Sequence, residues 1–215
     1  MKLVRADDAG PEVLERARAI YEAGFPPHLR SSFENLLRDD LVVLVDGDPI
    51  GVAVLRPLAD TGWVFLRYFV AASRGQGAGT LLWRHVTRAM GEAGHTRMVY
   101  DVEDPAERGV EPDEVSIRKR RIGFYLRQGA RLLPVREFVP PQGEVVQPML
   151  LMAVDLGGGP TAPIVGAELR AVVEAVYEHR YGLVAGDPLV RRTVEASGLA
   201  QALSEPETRG PRASS

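Results

Sequence analysis

The stretch that most restricts how this chain can fold is residues 63–94, WVFLRYFVAASRGQGAGTLLWRHVTRAMGEAG. Residues 63–71 are rich in aromatic and β-branched side chains and short enough for a largely buried strand. Gly75, Gly77 and Gly79 follow, and after them Leu82, Val86, Ala89 and Met90 recur on one helical face. Strand, glycine turn and helix in that order predict an anion site. A helix start leaves four N–H groups without intrahelical partners and carries about half a positive charge. Glycines keep Cβ atoms away from those amides, and Arg74 adds a fixed cation at the mouth. A plain flexible connection with incidental glycines is the competing reading of the turn taken alone.

Spacing excludes two familiar glycine loops. A dinucleotide loop needs glycines at its first, third and sixth positions, but the sixth residue is Thr80 counting from Gly75 and Leu82 counting from Gly77. A triphosphate loop needs Lys-Ser or Lys-Thr after its last glycine, and here Thr80-Leu81-Leu82 follows.

A third pattern does match. After a strand ending in Val70-Ala71, the residues Arg74, Gly77 and Gly79 fit Arg/Gln-x-x-Gly-x-Gly/Ala. In them the chain resembles the GNAT superfamily of acyl-CoA-dependent acyltransferases. A second signature of that superfamily, Phe124-Tyr125 with Gly129-Ala130 behind it, arrives in the correct order. The resemblance implies a GNAT-like α/β fold of α+β type: a central mixed, mostly antiparallel sheet flanked by helices. It implies acetyl-CoA as co-substrate, with Phe69, Val70 and Ala71 hydrogen-bonding the pantetheine arm. Arg74, Gly75, Gln76, Gly77, Ala78, Gly79 and Thr80 would hold the pyrophosphate. Tyr125 takes the place of the general acid for the leaving thiolate, a tyrosine that merely packs its helix being the alternative.

The chemistry asks for one more group. An alkylamine with a pKa of about 10.4 is mostly protonated at neutral pH, so transfer to it needs a base. Residues 101–104 hold three carboxylates, and strand alternation puts Asp101 and Glu103 on one face with Val102 on the other. Glu103 is the first candidate base and Asp101 the reserve, against the reading of solvated strand-end carboxylates. A thiol (about 8.5) is a stronger acid than a phenol (about 10), so return of the proton to Tyr125 runs downhill. The arginines and lysine at 118–121, with Arg127, Arg131 and Arg136, read as a solvated basic face from which one or two side chains could reach a phosphate or an acidic acceptor. Trp63 and Trp83 read as packing residues. His28 and Arg30 stand where GNAT relatives often line the acceptor pocket, or else in a solvated loop.

Composition excludes other classes. No cysteine is present, so disulfides, thiolate metal sites and a cysteine nucleophile are ruled out. The four histidines, His28, His85, His95 and His179, never fall at a ligand spacing, and no metal is expected. A net charge of −3 argues against a nucleic-acid partner. Without an apolar run of about 18 residues or a leader, the chain reads as cytoplasmic with no membrane partner.

In chain order, strands are expected at 3–5, 41–46, 50–58, 63–71, 96–102, 131–139 and 145–155. Helices are expected at 11–24, 32–38 (Phe33, Leu36 and Leu37 inward), 79–93 and 115–128. Helix 79–93 makes a crossover between neighbouring strands, and the resemblance puts the strand after the tyrosine helix beside the open end of the central strand. Residues 1–156 form the GNAT-like acyltransferase domain and 157–163 a glycine-rich linker. A C-terminal helical extension covers 164–203, with helices at 164–181 and 188–203, and 204–215 is a disordered tail. Packing on the core and a homodimer contact are both open to the extension. The function that follows is an N-acetyltransferase acting on a primary amine of a small molecule or a protein; the alternative is a non-catalytic acyl-CoA-binding or regulatory domain.

Overall fold

The computed structural model describes residues 1–73, 75, 77–141, 147–158 and 161–200. Its first half is a meander. β1 (Lys2–Arg5), β2 (Asp40–Asp46), β3 (Asp48–Pro57) and β4 (Trp63–Ala71) pair antiparallel in sequence order. Between β1 and β2 lie α1 (Pro11–Gly24), opened by Gly10-Pro11 as expected, and the short α2 (Phe33–Leu36). Ser32 caps α2 by accepting a hydrogen bond from the Asn35 amide at 3.3 Å. Phe33 and Leu36 are buried, but Leu37 falls just past this shorter helix and is exposed.

Parallel strands need a long crossover, and α3 (Ala78–Glu92) supplies it to β5 (Arg97–Glu103). β4 and β5 pair in parallel over three residues only, Trp63–Phe65 against Arg97–Val99. Beyond that β4 stays with β3 as far as Ala71, and β5 stays with the last strand as far as Glu103, so the two strands part in a wedge. α4 (Pro112–Arg127) begins three residues earlier than its apolar pattern predicts, because Pro112 is suited to a first helical position.

The end of the sheet differs from expectation. β6 is only Arg131–Leu132, since Pro134 cannot extend the ladder and Glu137 takes a positive φ of 52°. β7 (Met149–Asp155) lies between β5 and β6, giving the order β1-β2-β3-β4-β5-β7-β6. The strand after the tyrosine helix is therefore an outer edge, and β7 is the neighbour of β5. The expected start of β7 at 145–146 lies outside the described residues, as does the tail at 204–215.

One sheet face packs against α3 and α4: Val42, Leu44, Ala53, Leu55, Val64 and Leu66 meet Leu82, Trp83, Val86 and Tyr125. The opposite face is covered in two parts. Ala17, Tyr21, Phe33 and Leu36 cover β2 to β4. The residues after the glycine-rich segment cover the rest: α5 (Gly166–Ala175), a π-helical turn (Val176–Arg180) and α6 (Pro188–Ala196) place Val172, Val173, Val176, Tyr177 and Val190 on Trp63, Phe65, Val99, Leu151 and Ala153. α6 has its expected Asp187 cap. Among the described residues, no helix is long and apolar enough to cross a membrane.

Candidate active site

A cavity of about 1260 Å³ fills the wedge. Its wall along β4 includes Phe69, Val70 and Ala71, which pair with β3 through Ala53, Val52 and Gly51 and, among the described residues, have no strand on the other side. A bulge shapes this wall. Val54 faces Tyr68 while Leu55 faces Leu66, leaving Arg67 as the extra residue. The face therefore switches: Leu66 and Phe69 belong to the α3 and α4 side, Tyr68 and Val70 to the α1 side. The C-terminal end of α1 closes tightly on this strand, and a Cβ at Gly24 would come within 2.3 Å of a Val70 methyl.

The lining reaches Ser73 and stops short of the glycine turn. Gly75 and Gly77 have φ of 81° and 78°, which explains glycine at both, and nothing lies within 4 Å of where their Cβ atoms would be. Gly77 is the residue before α3, whose first turn carries no acidic side chain. Ala78 is buried, a Cβ at Gly79 would lie 3.9 Å from the Phe124 ring, and Thr80 lies in the first helical turn. Arg74 and Gln76 lie outside the described residues.

Asp101, Glu103 and Tyr125 all line the cavity, and Val102 is buried on the opposite side of β5. Their environments differ. Burial would raise the Glu103 pKa, but an ion pair with Arg121 outweighs it and holds the carboxyl below its usual value. Asp101 is raised by burial, although Tyr181 donates a hydrogen bond to its Oδ2 at 2.5 Å and the Arg180 charge pulls the other way. Tyr125 is raised well above an ordinary phenol, chiefly by burial among the rings of Tyr100 (4.5 Å between centroids), Trp83 (5.1 Å) and Phe124 (5.2 Å).

Most of the basic face is exposed, as expected for Lys119, Arg120, Arg127 and Arg136. Arg131 is half-buried, and Arg118 is buried on the cavity wall and bonded to Glu107 at 2.6 Å and Glu114 at 3.3 Å. Trp63 and Trp83 are core residues. Arg30 bonds the Glu22 carbonyl at 3.2 Å and does not line the cavity, whereas its neighbour Leu29 does; the His28 side chain lies outside the described residues.

Sequence reasoning missed three contributors: Arg67, Arg180 and Tyr181. Arg67 lines the cavity and bonds Asp39 and the Ser31 hydroxyl, each at 2.6 Å. An arginine in the middle of an otherwise apolar strand was the available signal. Arg180 reaches the same cavity from the C-terminal segment, and nothing local in the sequence announces it.

Residues 11–111 match the family model described as the acetyltransferase (GNAT) family. No curated protein matches the chain significantly. Among solved structures, a GNAT-family protein from Bacteroides thetaiotaomicron superposes with a TM-score of 0.66 at 20% identity, covering 85% of this chain and 99% of that one. An aminoglycoside 6'-N-acetyltransferase complexed with coenzyme A gives 0.52 at 17% identity over 73% of this chain and 97% of its own. The ribosomal-protein-S18-alanine N-acetyltransferase from Escherichia coli gives 0.50 at 15% identity, over 72% and 93%. The family match runs from α1 through β5, so residues 11–111 are similar to the acetyltransferase (GNAT) family, and the fold is that of solved GNAT structures.

Proposed function

We propose that the protein moves an acetyl group from acetyl-CoA to a primary amine of a small molecule or a protein. The observation that carries this reading is the wedge between β4 and β5, a cavity lined by Asp101, Glu103 and the buried Tyr125. The donor would lie along Phe69, Val70 and Ala71, with its pyrophosphate on the turn from Arg74 to Thr80. The turn fits such a group: the space beside Gly75 and Gly77 is open, and the start of α3 presents N–H groups without a competing acid. Relatives that bind coenzyme A or acetylate an alanine or an aminoglycoside support the donor and the amine.

Acetyl-CoA supplies the activated acyl group, and the chain supplies proton handling. The ammonium of the acceptor must lose a proton, and Asp101 suits that task better than Glu103. A carboxylate with a raised pKa is the stronger base, whereas the Arg121 pair keeps Glu103 ionised and weakly basic. Burial raises the pKa of Tyr125 above that of an ordinary phenol, so at neutral pH it is protonated and can donate toward the leaving sulfur.

Calorimetric titration with acetyl-CoA tests this. Micromolar binding is expected for the wild type and none for a folded Gly77→Glu variant, whose carboxylate would occupy the pyrophosphate position. A folded wild type that binds no acetyl-CoA would overturn the reading.

A further inference from the structure

The charged groups around the cavity pair off unevenly. Arg118 is taken by Glu107 and Glu114, Arg121 by Glu103, and Arg67 by Asp39 and Ser31. Among the described residues Asp101 has no ion pair and takes one side-chain hydrogen bond, from the Tyr181 hydroxyl, while Arg180 has no hydrogen bond or ion pair and acts on Asp101 through its charge alone. Its guanidinium lies over the Tyr181 ring, 4.8 Å from the centroid. The inner Nε atoms of Arg180 and Arg67 are both buried without a partner, and the Arg67 side chain is only 8% exposed. One cation and one carboxylate are thus left over, in a cavity that a substrate must enter.

These groups are held in place. Val176 and Tyr177 anchor the π-helical turn in the core, and such a turn departs from the regular helix that would otherwise set the direction of Arg180. Asp39, itself only 3% exposed, bridges Arg67 and Arg56 at 2.6 Å each, and Arg56 donates to the His179 carbonyl at 2.9 Å. The bulge in β4 and the turn that carries Arg180 are tied through one carboxylate. Arg67 is also far from the glycine turn, since the extended chain from 67 to 73 spans about 20 Å at 3.3 Å per residue. It does not serve the pyrophosphate.

We propose that the acceptor is an amine bearing a carboxylate, of amino-acid type, whose carboxylate pairs with Arg180 and the inner face of Arg67 while its amine faces Asp101. The proposal rests on the acetyl-transfer reading above. A guanidinium receives a carboxylate through parallel N–H bonds, and the single negative charge matches the one cation left over, where a phosphate dianion would not. The same leftover cation disfavours a polycationic acceptor.

The test is a panel of L-amino acids, their methyl esters and aminoalkyl phosphates. Each is titrated calorimetrically into the full chain and assayed for transfer with labelled acetyl-CoA, using the wild type, R180Q and R180K. At least one acid is expected to bind about tenfold or more tightly than its ester, a preference that falls to near one in R180Q at unchanged melting temperature and survives in part in R180K. Esters binding as well as acids, phosphates binding better, or no acid binding at all would overturn it. Acids that bind in an Arg180-dependent way without being acetylated would uphold the carboxylate subsite and count against acetyl transfer.

Discussion

The two ends of the cavity are built by opposite means. At the proposed donor end the chain presents main-chain groups: the edge of β4 freed by the parting of β4 and β5, and beyond it the left-handed Gly75 and Gly77 before α3. At the acceptor end, side chains converge from separate parts of the chain. Arg67 sits on a strand bulge, Asp101 on β5, and Arg180 and Tyr181 on the C-terminal segment, Tyr181 being 80 positions from the carboxylate it bonds. A backbone site needs only local conformation; a side-chain site needs the whole fold in register. Within a shared architecture, the second kind is free to change its chemistry.

The strongest challenge to this contrast is removal of residues 157–215. Buried side chains such as Leu169, Val172, Val173, Val176 and Tyr177 would be lost. At about 1.5–3 kcal/mol for each large apolar side chain, that approaches a whole domain's stability of about 5–15 kcal/mol. The truncated chain is expected to show no cooperative thermal transition. A folded truncate with full amine transfer would break the comparison, because the acceptor end would then not need the segment.

Asp101→Asn should have the next largest effect, a fall in kcat/KM of about 10²–10⁴. Burial raises the pKa of this carboxyl against the opposing influence of Tyr181 and Arg180, so it ionises at higher pH than an ordinary aspartate. Wild-type kcat/KM should therefore decline as pH drops through that raised value, and the variant should lose the limb. Glu103→Gln should keep it, since Glu103 is held low by Arg121 and is already ionised there; a limb that vanished in Glu103→Gln instead would return the base to Glu103.

Tyr125→Phe comes third, lowering turnover by about ten- to a thousandfold while leaving acetyl-CoA affinity nearly intact, as a calorimetric titration beside a steady-state assay would show. Unchanged turnover would reduce Tyr125 to a packing residue of the aromatic cluster it shares with Tyr100 and Trp83.

Most of the fold was legible. The β2–β3 hairpin, the glycine turn and the tyrosine helix each announce themselves through residues close in sequence, and the family signatures sit on them. The region after the tyrosine helix was less so. Apolar residues at 133, 135 and 138 look like a strand, yet they pack against α5 and α6 as irregular chain because Pro134 stops the ladder.

What the sequence determined alone is the donor end and the elements around it: positive φ at Gly75 and Gly77, a helix start behind them and a strand in front are settled by neighbouring residues. Only the tertiary structure decided the acceptor end. Plain alternation would keep residues 66, 68 and 70 on one face, but the bulge at Arg67 exchanges the faces and turns that arginine onto the cavity. Whether a bulge forms depends on how β4 pairs with β3, and whether Tyr181 meets Asp101 depends on a segment 80 residues away seating on the sheet. Those are contacts between distant parts of the chain, whose geometry no local propensity contains.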